Sequence, residues 1–210
     1  MVRRPCAVGL TGGLASGKSS VAVMLARRGA EVLDADGLVH ELYRPGGEGA
    51  QQVAELFGAE VLAGDGAVER DALSRRVLAD AEALERLNRA VHPLVRARVA
   101  GWLAELGTRP GGAPGVAVVE AALLVETGSY RDYDLLLVVW CRPEQQLERA
   151  LARGVDEGRA LALLKAQLPL DSMLAVADIV VDNSGSREQL AAEVDRAWAE
   201  IRARCGQAQA

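Results

Sequence analysis

The sequence contains no apolar run of the roughly 18 residues that a membrane-spanning helix requires. The apolar run near its start meets glycine too early to form a signal-peptide core. Its net charge of -5 shows no excess of basic residues, which disfavours nucleic acid as a partner. These absences predict a cytoplasmic protein, a monomer or weak homo-oligomer, with neither a membrane nor a nucleic-acid partner.

Cysteine and lysine are also scarce. The chain has three cysteines, and Cys6 and Cys141 lie in apolar runs typical of buried strands, where a thiol acts as a small hydrophobe. We therefore expect neither a disulfide nor a metal-binding role for the cysteines. Only two of the 24 basic residues are lysines, Lys18 and Lys165, so a lysine retained in this chain is a candidate for a specific function.

Apolar and helical segments alternate along the chain. Continuous apolar runs at 6–10, 31–33, 116–119, 135–141 and 179–181 predict five strands. Helical spacing occupies the intervals between them, including a long tract from 38 to 106 and a last helix near 187–204, and the loop 107–115 follows the tract. The alternation predicts an α/β fold with a mostly parallel sheet and helices on both faces, within one domain spanning residues 1–210.

A glycine-rich stretch, GLTGGLASGKSSVAVML, follows the first predicted strand and opens the first helix. Gly12, Gly17, Lys18 and Ser19 match the phosphate-loop pattern G-x-x-x-x-G-K-[ST], whose backbone N–H groups cradle phosphates. Lys18 is then expected to reach the β- and γ-phosphates of ATP and Ser19 to bind Mg²⁺. The alternative is a merely flexible glycine turn. The predicted ATP-binding residues of the loop are Gly13, Leu14, Ala15, Ser16, Gly17, Lys18, Ser19 and Ser20.

Two aspartates end the second predicted strand, in VLDAD. Ligands of such sheets bind at the carboxyl ends of the strands, so Asp34 and Asp36 are candidates for orienting the hydroxyl that attacks a γ-phosphate. Aspartate also favours helix caps, and a capping role stays open for both residues, more so for Asp34.

Two arginines follow the fourth strand on one helical face. Arg149 and Arg153 stand four residues apart, a spacing that suits a segment closing over a triphosphate, so both are predicted ATP contacts. A solvated face paired with nearby carboxylates is the alternative. Lys165 is a weaker candidate on the same segment, because glycines at 154 and 158 favour a bend that could return it to the site.

Several stretches together resemble one family. They are GLTGGLASGKSS, VLDAD, HPLV at 92–95, ALLVETG at 122–128, QLERALAR, AQLPL at 166–170 and ADIVVDNSG at 177–185. On these stretches the chain resembles the dephospho-CoA kinases, which catalyse the last step of coenzyme A synthesis. The resemblance implies transfer of the γ-phosphoryl group of Mg·ATP to the ribose 3′-hydroxyl of dephospho-CoA. It also implies a P-loop core, an acceptor-binding helical insertion at 37–106 and a lid at 142–175.

The resemblance further implies roles for individual residues. Asp36 corresponds to the catalytic base, Lys18 and Arg149 to catalytic cations on the phosphates, and Thr11 to a polar contact near the acceptor. His92 falls in the acceptor-binding region, although a lone histidine before proline is as often a helix cap.

The chain departs from the family pattern at a few positions. Glu120 replaces an aspartate and Ala122 a proline, while Met173 and Leu174 stand where the family commonly has basic residues. We therefore expect other cations to carry the charge of the lid. Another small-molecule or nucleoside monophosphate kinase, or a regulator that binds nucleotide without catalysis, remain the alternative functions.

Overall fold

The computed structural model describes residues 4–78, 80–109 and 115–207. Its sheet has five strands in the order β2-β3-β1-β4-β5, so β1 occupies the centre and pairs in parallel with both β3 and β4. All five predicted strands are confirmed; β1, β3 and β4 are almost entirely buried, whereas the edge strand β2 is only partly buried. The strands are β1 (Cys6–Gly12), β2 (Glu31–Asp34), β3 (Val116–Glu120), β4 (Leu135–Trp140) and β5 (Ile179–Asp182).

Helices connect the strands as predicted. The segment after β4 divides at Gly154, whose φ of 80° ends one helix before the next begins, so the predicted bend is confirmed. Short 3₁₀ turns lie at Ala59–Val61 and Ser129–Asp132. The α-helices are α1 (Lys18–Ala26), α2 (Ala35–Leu42), α3 (Glu48–Phe57), α4 (Arg70–Leu78), α5 (Ala81–Thr108), α6 (Pro143–Ala152), α7 (Glu157–Ala166), α8 (Leu170–Leu174) and α9 (Arg187–Gln207).

The chain divides into two compact units, and the first comprises Met1–Leu33 and Leu103–Ala210. This unit contains a core on each face of the sheet. On one face, strand side chains pack against buried residues of α1 and α9, including Leu25 and Ile201. On the other face, Leu136 and Val138 pack with Met173 of α8. Helices therefore cover both faces of the sheet, which explains why its strands are unbroken apolar runs.

The second unit spans Asp34–Trp102 and is helical, as the spacing in this tract predicts. It has a core of its own, in which Val53 and Phe57 of α3 pack with Leu73 of α4 and with Leu87 and Val91 of α5. Each of these side chains is at least nine-tenths buried. The unit therefore has the separate hydrophobic core expected of a substantial insertion between β2 and β3.

The expectation that the cysteines form no disulfide is wrong. Cys6, at the start of β1, is bonded to Cys205 in the last turns of α9, and both residues are 5% exposed. Sequence reasoning missed the pair because 199 residues separate its members, and only the packing of α9 on the sheet brings them together. Cys141 is a buried free thiol, as expected.

None of the helices in the described part of the chain has the length and hydropathy needed to cross a bilayer. The predicted loop at 107–115 falls largely on residues 110–114, which lie outside the described residues.

Candidate functional site

The phosphate loop connects β1, at the centre of the sheet, to α1. Gly12 and Gly17 both have positive φ angles, of 153° and 102°, and a Cβ on Gly12 would stand 2.1 Å from the carbonyl oxygen of Val139. A side chain is therefore excluded at Gly12, and Gly17 adopts a backbone conformation that favours glycine. Gly17 caps α1, so the positive dipole end of this helix faces the loop, an arrangement that can bind an anion.

Lys18 begins α1, and its ammonium group is held by the loop. The Nζ atom donates to the carbonyl oxygens of Gly12 and Gly13, each at 3.0 Å. Two hydrogen bonds restrict a side chain that otherwise carries about 2 kcal/mol of rotamer entropy. The cation is therefore placed at the mouth of the loop before any phosphate arrives.

Ser19 and Glu120 lie together beside the loop. Glu120 ends β3, opposite Leu10 of β1, and its Oε1 atom accepts a hydrogen bond of 2.9 Å from the Ser19 hydroxyl. A glutamate at this position therefore reaches the phosphate loop. A hydroxyl and a carboxylate are the hard oxygen ligands that Mg²⁺ takes alongside phosphate and water. Among the described residues no cluster of three or more His, Cys, Asp or Glu side chains could hold a metal, so phosphate oxygens would have to complete such a site.

A groove of about 690 Å³ extends from the loop along α1 and past the first turn of α9. Its wall carries four arginines and no carboxylate, in a chain whose net charge is negative. Val23 contributes an apolar surface that is 52% exposed. The groove combines cations with an apolar surface, which suits a ligand with an anionic part and an aromatic part. The lining residues are Ala15, Gly17, Ser19, Ser20, Val23, Met24, Arg27, Arg149, Arg153, Asn183, Gly185, Arg187 and Leu190.

Arg149 and Arg153 both line this groove. The Nη2 atom of Arg149 donates to the carbonyl oxygen of Asn183 at 2.9 Å, whereas its Nη1 atom is buried without a hydrogen-bond partner among the described residues.

Burial raises the pKa of the nearby Cys141 thiol, and the Arg149 charge only partly offsets that rise. Cys141 is therefore a neutral packing residue rather than a nucleophile.

Helices α6 and α7 contact the phosphate loop directly. The Oε1 atom of Gln167, which caps α7, accepts the backbone N–H of Leu14 at 2.9 Å. Ala15 of the loop packs against Ala150 and Ala160, which are almost completely buried. These contacts fix the position of the first residues after Gly12, independently of any nucleotide.

The apolar residues that depart from the family pattern also have a structural explanation. Met173 is 2% exposed and belongs to the core beneath the sheet, and Leu174 packs against the same cluster. Lys165 is exposed and does not line the groove. The positive charge around the groove therefore comes from arginines, including Arg27 and Arg187, which the sequence analysis did not single out.

The predicted acceptor-side residues have varied local environments. Thr11 is fully buried, and its hydroxyl donates to the carbonyl oxygen of Ala122 at 3.2 Å. Asp34 accepts the backbone N–H of Asp36 and caps α2, so the capping alternative describes its observed contact. Asp36 itself is exposed in the first turn of that helix. Partial burial and the charge of Arg96 lower the pKa of His92, which keeps its imidazole neutral near pH 7.

Sequence reasoning missed several polar residues that contact the loop. Asn183 follows β5 and donates to the carbonyl oxygen of Ser16, while Gln146 lies against Gly13 and Gln167 holds Leu14. Asn183 had a detectable signal, because a polar residue directly after a buried parallel strand lies at the ligand-binding edge of the sheet. The glutamines had none, since amides are common on solvated helices.

The central β1, the phosphate loop and the arginine-lined groove together define a P-loop nucleotide-binding protein with the architecture of a small-molecule kinase. Comparison with known proteins narrows this class. The family model for dephospho-CoA kinase matches residues 6–189, and the chain belongs to that family.

Individual relatives agree with this assignment. The chain is 43% identical to the dephospho-CoA kinase of Anaeromyxobacter dehalogenans, over 93% of this chain and 92% of the relative. The crystal structure of TT1252 from Thermus thermophilus has a TM-score of 0.80 at 32% identity and covers 94% of this chain and 98% of its own. The dephospho-CoA kinase structure from Campylobacter jejuni, at 22% identity and a TM-score of 0.61, covers 94% of this chain and 97% of its own, and shares the fold.

Proposed function

We propose that this protein transfers the γ-phosphoryl group of ATP to the ribose 3′-hydroxyl of dephospho-CoA, releasing ADP and coenzyme A. The observation that carries the proposal is the phosphate loop, with Lys18 already held at its mouth, in a chain that matches the dephospho-CoA kinase family over residues 6–189. A catalytic loop and a family match of this extent support an enzyme rather than a regulator.

ATP is proposed to bind in the groove with its triphosphate at the loop. Residues 13–20 offer backbone N–H groups to the phosphates, apart from those of Leu14, Ser16 and Ser20, which bond within the protein. These groups and the Lys18 ammonium neutralise the β- and γ-phosphates, and Arg149 and Arg153 approach them from α6. Because these donors are held by protein contacts before ATP binds, little reorganisation opposes charge stabilisation in the transition state. The nucleoside is proposed to pack against the apolar surface of Val23 and its neighbours.

Mg²⁺ is proposed as the metal partner of ATP, bound through Ser19 with the Glu120 carboxylate beside it. The Ser19 hydroxyl and the Glu120 carboxylate are oxygen ligands of the kind that Mg²⁺ prefers, and they already lie 2.9 Å apart. When bound, Mg²⁺ would offset the charge of the phosphates during transfer.

The helical unit, Asp34–Trp102, is proposed to supply the acceptor site, because a pantetheine-bearing nucleotide needs a larger binding surface than the edge of a sheet provides. Asp36 is proposed to accept the proton of the 3′-hydroxyl as that oxygen attacks the γ-phosphorus, while the bond to the bridging oxygen breaks and ADP leaves. Thr11 and His92 are proposed to lie near the acceptor. A neutral His92 would act as a hydrogen-bonding group rather than as a cation.

The lid predicted at 142–175 is proposed to close through α6 and α7, because α8 packs in the core beneath the sheet. The enzyme is proposed to work in the cytoplasm as a monomer or weak homo-oligomer. Lid closure would exclude water and so favour transfer to the acceptor over hydrolysis of ATP.

The experiment that tests this proposal follows ADP release from Mg·ATP with dephospho-CoA, AMP or shikimate as the acceptor. We expect turnover with dephospho-CoA only, with one coenzyme A formed for each ADP. Turnover with AMP or shikimate but not dephospho-CoA would replace the proposal with another small-molecule kinase. Nucleotide binding without turnover on any acceptor would identify a regulator.

A further inference from the structure

Asn183 is at the junction of three functional segments. It follows β5 directly, its backbone N–H donates to the carbonyl oxygen of Trp140 at the end of β4, and the residue is 9% exposed. Its Nδ2 atom donates to the carbonyl oxygen of Ser16 in the phosphate loop at 2.7 Å, in a buried hydrogen bond. Its own carbonyl oxygen accepts the Nη2 atom of Arg149 at 2.9 Å.

The glycine at position 17 makes the first of these contacts possible. A Cβ on Gly17 would stand 2.0 Å from the Nδ2 atom of Asn183, so the amide packs directly against the glycine backbone. Only a residue without a side chain admits the amide at this distance. Gly17 is therefore required for two reasons: its φ angle is positive, and the Asn183 amide lies too close to leave room for a side chain.

The hydrogen bond from Asn183 to the Ser16 carbonyl also orients the N–H group of the next residue, Gly17. In a trans peptide the C=O and the following N–H point in opposite directions, so a carbonyl of Ser16 held towards Asn183 turns the N–H of Gly17 to the opposite side. That N–H is one of the donors at the N-terminus of α1 that have no partner within the helix. The side chain of Asn183 thus determines the direction of a phosphate-binding donor without itself meeting the phosphate.

We propose that Asn183 is a positioning residue that clamps the Ser16–Gly17 peptide of the phosphate loop and, through its backbone, anchors Arg149 over the same phosphates. The proposal rests on the proposed function, because it takes the loop to bind the β-phosphate of ATP. It assigns Asn183 to the orientation of the phosphate loop, and the test separates this role from a contact with the nucleoside in the groove that Asn183 also lines.

The test compares nucleotides that differ in phosphate number. Calorimetry would measure dissociation constants of ATP, ADP and AMP for the wild type and for Asn183→Ala and Asn183→Leu, the latter of similar shape and also neutral but unable to donate to Ser16. We expect both variants to bind ATP and ADP about tenfold more weakly, the effect of one buried hydrogen bond, with AMP affinity unchanged. Ser184→Ala is the matched control, since Ser184 is adjacent but bonds to Asp182, and it should bind all three nucleotides as the wild type does.

Three results would overturn the clamp. Equal losses of affinity for AMP and ATP would show that Asn183 contacts the nucleoside. Unchanged affinities for ATP and ADP would show that the phosphate loop does not depend on Asn183. A purely structural role would reduce the binding-competent fraction in the titration without changing the ratio of ATP to AMP affinity, and that outcome also counts against the proposal. If Asn183→Ala does not fold, Asn183→Leu alone gives the comparison. Because binding is measured without an acceptor, the result is independent of whether dephospho-CoA is the substrate.

Discussion

The Cys6–Cys205 disulfide should contribute strongly to stability. It joins the first residue of β1 to the last turns of α9, across a sequence separation of 199. A crosslink that closes a loop of this length removes about 18 cal/mol/K of entropy from the unfolded chain, or about 5 kcal/mol at 25 °C. Reduction should therefore lower the urea midpoint by roughly 2 M, at an m-value of about 2.5 kcal/mol/M.

The assay is urea unfolding at pH 7, followed by tryptophan fluorescence with and without dithiothreitol. Thiol counting in denaturant establishes the starting state, because only Cys141 should react before reduction, and all three cysteines after it. The double variant Cys6→Ala, Cys205→Ala is the control, since dithiothreitol should leave its midpoint unchanged. A wild-type protein that shows three reactive thiols when purified under oxidising conditions, or whose midpoint does not move on reduction, would refute the reasoning.

Further predictions concern the phosphoryl transfer. Lys18→Ala should lower kcat/KM for ATP about a hundredfold or more with the fold intact by circular dichroism, and retention of more than about a tenth of the activity would contradict the loop assignment. Asp36→Asn should lower kcat far more than Asp34→Asn, because an asparagine at 34 keeps the acceptor oxygen that a helix cap needs, whereas an asparagine at 36 cannot act as a base. Equal effects in steady-state assays would reject Asp36 as the base. Arg149→Ala should raise the KM for ATP and lower kcat, whereas Lys165→Ala should leave both unchanged, and a silent Arg149→Ala would overturn the proposed role of α6.

The sheet and the phosphate loop could be predicted from the sequence because both depend on local patterns. A strand covered on both faces needs a continuous apolar run, and each of the five runs became a strand. The phosphate loop needs glycines at fixed offsets from a lysine, so its location between β1 and α1 followed directly. The break after α6 followed equally from Gly154, because one glycine with a positive φ angle suffices to end a helix.

The partners of the loop could not be predicted in this way. Asn183 and Ser16 are 167 residues apart, and Gln167 and Leu14 are 153 apart. Their contacts depend on the order of the strands and on the packing of α6 and α7, and no local pattern records either. Met173 illustrates the same limit, because its position in a motif suggested a missing lid cation, whereas the packing of α8 makes it a core residue.

The sequence by itself determined the fold class, the phosphate loop and the family, since each depends on residue types at short spacings along the chain. The tertiary structure alone decided that Glu120 reaches Ser19, that Asn183 holds the Ser16–Gly17 peptide, and that Cys6 meets Cys205. These pairs form only after the strands have assembled in the order β2-β3-β1-β4-β5 and α9 has packed across them. The physical reason is that hydrogen bonds and disulfides act over a few ångströms, and only the assembled sheet brings residues distant in sequence within that range.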